Sequence, residues 1–152
     1  MRRFDFRLER ILSLRKHTED QAEQKLARVS GEYAQLQGEL GRLTQEREAT
    51  FQLGDAASRA DINYRIAQSA YINYLESRSR DVESRRSEKA GELDAAQTEY
   101  REAMKQRKVL DNLKSRRSDE YYKEQRRAEG RELDDIGGQM SIRRHEQEGG
   151  DA

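Results

Sequence analysis

The side chains in this sequence that could do chemistry are two histidines, His17 and His145, and thirty carboxylates; there is no cysteine. Their spacing sets up no reaction. A general acid–base pair or a metal site needs its groups within a few ångströms of one another. His17 stands near the beginning of the chain and His145 near the end, on opposite sides of the one strong turn signal in the interior. The carboxylates alternate with arginine and lysine on polar faces. No glycine-rich phosphate loop and no strained nucleophile elbow occurs. Without cysteine there is no disulfide and no thiolate metal ligand. The residues point away from an enzyme and toward a protein that works by binding.

The elements that would position binding residues are legible in the hydrophobic pattern. Leu26, Val29, Tyr33, Leu36, Leu40 and Leu43 recur at alternating three- and four-residue steps. Upstream the same phase passes through Leu8, Leu12, a polar gap at Arg15 and Glu19, and Ala22. A 3.5-residue period keeps a narrow apolar stripe facing one partner helix, the pattern of a coiled coil. Composition agrees. The chain has 152 residues, 33% apolar and 39% charged, too polar for a compact layered core. Mean hydropathy is −1.25. There is no proline to break a helix.

Gly54-Asp55 is the best interior turn signal, with Ser58 and Asp61 resembling the start of a new helix. This predicts an all-α fold, a long antiparallel two-helix coiled-coil hairpin. Helix one spans about 5–50, the reversal 51–59, and the longer helix two about 59–136, with 1–144 as a single coiled-coil domain and 145–152 as a disordered tail. Helix two carries a rougher seam: Tyr64, Tyr71, Leu75 and Val82, then a phase shift near 82–89 that reads as a stutter, then Leu93, Ala96, Tyr100 and Ala103. Gly137-Gly138 reads as a helix stop. With the turn centred near residue 56, residue i faces roughly 112 − i, so Leu8 is expected near Met104 and Leu40 near Ile72. Residues after about 107 would overhang the amino terminus with Val109, Leu110, Leu113, Tyr121, Tyr122, Leu133 and Ile136 uncovered, which predicts a partner that covers them.

Formal net charge is zero, but residues 1–16 hold six basic and two acidic side chains, and 101–128 hold ten and five. A hairpin gathers both basic segments at one end, suited to an acidic partner. Zero net charge and interspersed acids argue against a nucleic-acid-binding rod. No apolar run approaches the ~20 residues needed to span a bilayer, and no apolar segment follows Arg2-Arg3 to make a signal peptide. Two surfaces stand out as apolar beyond the needs of a seam. One is the amino-terminal segment, where Ile11 and Leu14 widen the stripe. The other is early helix two, where Ile62, Ile66, Ile72 and Tyr74 spread around the helix.

The opening Phe4-x-Phe6-x-Leu8-Glu9-Arg10-Ile11-Leu12-x-Leu14-Arg15, followed by Glu19 and Ala22, resembles the start of the flagellar export protein FliJ family. Arg107-Lys108-x-Leu110-x-x-Leu113, Tyr121 and Glu132-Leu133-Asp134-Asp135-Ile136 are similar to that family's closing pattern, with Asp134-Asp135 where the family usually has Asp-Glu. The resemblance covers almost the whole chain. It implies a non-enzymatic, cofactor-free antiparallel coiled coil that looks like the central stalk of a rotary ATPase and serves the type III flagellar export apparatus. Such a protein is expected to be cytoplasmic and peripherally associated with the inner-membrane apparatus. The resemblance also implies partners: the export ATPase hexamer, the cytoplasmic component of the export gate, and export chaperones that the protein helps to escort.

Carried onto this sequence, the ATPase-binding residues would be Phe4, Phe6, Arg7, Arg10, Ile11, Leu14, Arg15, Arg107, Leu110, Leu113, Tyr121, Asp134, Asp135 and Ile136. The gate-binding residues would be Tyr71, Leu75, Arg78 and Val82, although Arg78 and Val82 depart from the residue types expected there. The injectisome counterpart of the same stalk fits the sequence almost equally well. A general coiled-coil scaffold or parallel dimer would have no use for the break at 51–59.

Overall fold

The structure is a computed structural model that describes residues 3–56 and 62–148. It consists of two α-helices, α1 (Glu9–Ala56) and α2 (Ile62–Glu148), paired as an antiparallel hairpin with extensive contacts between them. Packing divides the chain into two units. Unit 1 comprises Met1–Arg15 with Gln106–Ala152, and unit 2 comprises Lys16–Lys105. Each helix contributes to both.

Helix α1 begins at Glu9, after an extended entry and a turn at Arg7-Leu8. The Glu9 N–H donates to the Phe6 carbonyl at 2.9 Å, and the Leu12 N–H donates to the Leu8 carbonyl at the same distance. The Phe6 side chain is buried at this entry, which fixes the angle at which the chain joins the helix. A carboxylate in the first turn, Glu9, suits the positive end of the helix dipole.

The expected reversal at 51–59 falls partly in helix, because α1 continues through 51–56; residues 57–59 lie outside the described residues. Gly54 is helical, and no described residue has a positive φ. Its role is steric. A Cβ at Gly54 would land on the side-chain amide of Gln68, which crosses from α2 to donate to the Thr50 carbonyl at 2.7 Å. Gly137-Gly138 does not stop α2 either, which runs to Glu148. Of the expected tail, 145–148 are helical and 149–152 lie outside the described residues.

In unit 2 the seam of α1 is buried or half-buried at Glu19, Ala22, Leu26, Val29, Tyr33, Leu36, Leu40, Leu43, Arg47, Thr50 and Gly54. The seam of α2 runs through Gln68, Ile72, Leu75, Ser79, Val82, Arg86, Lys89, Leu93, Ala96, Tyr100 and Ala103. Both keep the three-four alternation throughout. The stutter expected near 82–89 is therefore absent. Arg86 and Lys89 occupy the seam positions there, laying their aliphatic stems over it while their charged ends reach carboxylates. Tyr64 and Tyr71, expected on the seam, are exposed, and Gln68 and Ile72 take the positions they were assigned. The best-packed part joins Leu43, Leu75 and Val82, with Leu36 and Leu40 against them.

Interhelical ion pairs report the register. In unit 2 these are Lys25–Glu99 (2.7 Å), Glu32–Lys89 (2.7 Å), Glu39–Arg78 (3.0 Å) and Arg47–Glu76 (3.9 Å). In each, residue i faces roughly 120 − i, not 112 − i, so every facing partner sits about two helical turns further along α2 than expected. Leu40 thus lies opposite Ser79 and not Ile72. In unit 1, Lys114 pairs with Glu9 at 2.8 Å, and Arg15 donates to the side-chain oxygen of Gln106.

Candidate partner-binding surfaces

Unit 1 brings the amino-terminal segment and the middle of α2 together around an aromatic cluster. Phe4 packs between Phe6 and Tyr121, with ring centroids 6.4 and 5.6 Å away, and Tyr121 meets Tyr122 edge-on at 5.4 Å. The Gln125 side-chain amide donates to the Tyr121 hydroxyl at 2.9 Å, while its own carbonyl oxygen is buried without a protein hydrogen-bond donor. Leu8 and Leu113 share a groove with Phe4, Phe6, Arg7 and Arg117. This corrects the expected overhang. Leu110, Leu113, Tyr121 and Tyr122 are half-buried under the amino-terminal residues and α2's own neighbours, and continuous exposure begins only after Gln125.

The site residues expected in this region divide into three sets. Phe4, Phe6, Leu113 and Tyr121 form or border the aromatic cluster and groove, and Leu110 is half-buried. Arg15 is tied to Gln106, and Arg107 pairs with Asp111 at 2.6 Å, so their guanidinium groups are partly engaged within the unit. Arg7, Arg10, Ile11 and Leu14 are exposed, Ile11 at 44% and Leu14 at 61%. Asp134, Asp135 and Ile136 are exposed as well, on the part of α2 that no other described segment covers. Lys114, Arg117 and Gln125 belong to this surface as well, together with Tyr122, which the sequence places in the stretch of α2 expected to be uncovered. A register near 120 − i places Lys114 and Arg117 opposite the amino-terminal residues, while Tyr122 and Gln125 join the cluster through Tyr121.

The second surface lies in unit 2, around the ends of α1 and α2 near the reversal. Phe51, Leu53, Ile62, Tyr64, Ile66, Tyr71 and Tyr74 are all exposed there. Tyr71 and Tyr74 stack, with centroids 6.2 Å apart and rings inclined by 19°. The Tyr71 hydroxyl donates to the Glu46 carboxylate, and this bond raises the Tyr71 pKa, with burial and the Glu46 charge adding to the effect. Of the four residues assigned to the gate, the structure separates two from two. Leu75 and Val82 are fully buried against α1, at 1% and 0% exposure. Tyr71 reaches solvent, and Arg78 is half-buried with its guanidinium on Glu39 and Asp81. Seam spacing already carried this distinction, since Leu75 and Val82 lie seven residues apart in phase with the core.

In the middle of unit 2, Lys89 lies between Glu32 and Glu92 at 2.7 and 2.8 Å. The hydrogen bond and charge of Lys89 hold the Glu32 carboxyl below its ordinary range, and the bonds to Glu32 and then Glu92 push the Lys89 ammonium above its own. Among the described residues no cluster of histidines and carboxylates could hold a metal ion, and no helix is long and apolar enough to cross a membrane.

The surfaces thus combine aromatic and arginine side chains on a helical hairpin. No curated protein and no solved structure matches the chain. The family model described as flagellar FliJ protein does match, over residues 4–146, which takes in the amino-terminal aromatic residues, both helices and nearly all of the exposed end of α2. With the hairpin and this match over most of its length, the chain belongs to the flagellar FliJ family.

Proposed function

We propose that this non-catalytic stalk protein of flagellar export docks on the export ATPase ring through unit 1 and on the export gate through the exposed tyrosines of unit 2. The observation that carries the first contact is the pairing of exposed Ile11 and Leu14 with exposed Arg7 and Arg10 beside the Phe4–Tyr121 cluster. Aromatic and arginine side chains clustered beside apolar ones make the strongest contacts at protein interfaces. A ring interior lined with carboxylates would be met by this basic surface and its apolar flank.

For the gate, the contact falls to Tyr71, Tyr74 and Arg78, because Leu75 and Val82 are consumed by the hairpin's own core. A helical hairpin that binds two partners can pass force or a conformational bias from one to the other without chemistry of its own. The working location is the cytoplasmic face of the export apparatus, reached through these partners.

The test is a pulldown and turnover assay with an export ATPase of the same apparatus. Ile11→Asp with Leu14→Asp removes apolar surface that the fold leaves exposed, so the variant keeps its helicity. Loss of binding in this variant, with gate binding retained, supports the assignment. Full binding by the variant sinks it.

A further inference from the structure

Three arginines of unit 1 have no counter-charge. Arg7 and Arg117 line the groove that holds Phe4, Phe6, Leu8 and Leu113, and Arg116 precedes Arg117 on α2. None of the three makes an ion pair or a hydrogen bond among the described residues. Asp5, the one carboxylate lining the groove, is exposed and bonded to none of them. Other cations of the unit are matched: Lys114 holds Glu9, and Arg107 holds Asp111. A groove lined by charge of one sign draws an anionic group from outside.

The exposed apolar side chains of the unit continue the same flank. Residues three, four or seven apart share a helix face. On α1, Ile11 follows Arg7 by four and Leu8 by three, and Leu14 follows Arg7 by seven. On α2, Val109 lies four before Leu113, and Arg116 and Arg117 lie three and four after it. The bonds of Lys114 to Glu9 and of Arg15 to Gln106 set the level between the helices. They bring Leu14 level with Val109 and Arg7 level with Arg116. Leu14 and Val109 are 61% and 66% exposed. The flank is thus apolar at one end and cationic at the other, over about two helical turns or roughly 10 Å.

We propose that this flank receives a third helix, an amphipathic segment of the export ATPase with an apolar stripe and carboxylates toward one end. The inference rests on the docking proposed above and adds Val109, Arg116 and Arg117 of α2 to that contact. The stripe packs between Ile11 and Leu14 on one side and Val109 and Leu113 on the other, a helix laid in a groove. Its carboxylates meet the three guanidiniums, whose forked donors match them in pairs of hydrogen bonds. A neutral segment would leave the guanidiniums unmet, and a basic one would be repelled. A free anion such as phosphate would satisfy the arginines but leave Leu14 and Val109 in water. The charge end and the apolar end together select a segment that carries both.

The test uses the full chain and an export ATPase of the same apparatus as the probe. Val109→Asp, and Arg116→Gln with Arg117→Gln, are each expected to weaken binding by about tenfold or more. Helicity should be unchanged, because all three side chains are exposed. Asn112→Asp, on the outward face beside Val109, is expected to bind as wild type does. The chain has no native cysteine, so Asn112→Cys carries a photoreactive label at a single site on the rim of the groove. Its cross-links are expected on ATPase residues spaced by three or four in a stretch that bears Asp or Glu. Wild-type binding by both α2 variants, alongside loss in Ile11→Asp with Leu14→Asp, overturns the groove and leaves the α1 contact standing. Cross-links confined to a strand, or to a stretch without carboxylates, overturn it as well. No binding by the wild-type chain removes the docking itself and the groove with it.

Discussion

Leu75→Ala tests whether this face of α2 is fold or contact surface. Leu75 is 1% exposed and shares its cluster with Leu43 and Val82, with Leu36 and Leu40 packed against it. Truncating a buried leucine to alanine costs the transfer energy of the lost groups plus a cavity term, together about 2.7–5 kcal/mol in a closed core. A two-helix seam is one side chain deep and can collapse or admit water. The cost here therefore falls near the bottom of that range, about 2–3 kcal/mol. At roughly 2–4 °C per kcal/mol for a chain of this size, the midpoint falls by about 4–12 °C.

Tyr74, one position earlier and 60% exposed, is the control: Tyr74→Ala should stay within about 0.5 kcal/mol of wild type. Urea and thermal unfolding followed at the helical circular-dichroism band measure both. If Leu75→Ala unfolds with wild-type stability, or Tyr74→Ala loses as much as Leu75→Ala, the assignment of Leu75 to the core is wrong. Reduced gate binding by Leu75→Ala is then expected only above its lowered midpoint, whereas Tyr74→Ala should lose gate binding while fully folded.

Other outcomes follow from the same geometry. Gly38→Ala, where a Cβ meets nothing, should stabilise α1 by about 1 kcal/mol; Gly54→Ala should lack that gain because it displaces Gln68 from Thr50, and equal gains at both positions in urea unfolding would remove the steric role of Gly54. The lowered pKa of Glu32 gives stability that is fully present above 4.5 and is lost as pH falls through the lowered folded value. Lys89→Met should therefore flatten part of the acid limb, read as a smaller drop in midpoint from pH 7 to pH 3 than wild type shows. Tyr71, raised by its bond to Glu46, contributes stability below pH 10.0 that is lost as pH rises through the raised value, so Glu46→Gln should shift the tyrosinate absorbance transition to lower pH.

The seam of α1 was legible because its positions carry large apolar residues, from Leu26 to Leu43. That of α2 was misread for a physical reason. Between Val82 and Leu93 the seam passes through Arg86 and Lys89, whose stems cover the groove while their charges leave it. By residue type these look like surface, and the gap looks like a phase shift. The register error has a single source as well. Gly54-Asp55 has the composition of a turn, yet Gly54 is a close-approach site inside α1. Moving the centre of a hairpin by four residues moves every facing partner by eight. That shift is why Leu8 meets Leu113, and why Phe4 covers Tyr121 where an open overhang was expected. Exposure of Ile11 and Leu14 was readable from their place beside the seam. Division of the gate residues was readable in principle, because Leu75 and Val82 keep the core phase.

The same register explains why so polar a seam is kept in unit 2. A heptad repeat is nearly degenerate: sliding α2 by seven residues returns leucine and alanine to equivalent layers, and the apolar core alone discriminates weakly. The charges do not return to equivalent partners. A slip of one heptad in one direction sets Glu99 against Glu32, and a slip in the other sets Lys89 against Lys25. In the observed register Lys25 meets Glu99 and Glu32 meets Lys89. Each exposed pair adds little stability of its own, but each wrong register must carry a like-charge contact, so the pairs act through what they forbid. The exposed surface near the reversal depends on that choice. Only in the observed register does Gln68 lie over Gly54 and the Tyr71 hydroxyl reach Glu46, holding the Tyr71–Tyr74 stack where a partner can meet it.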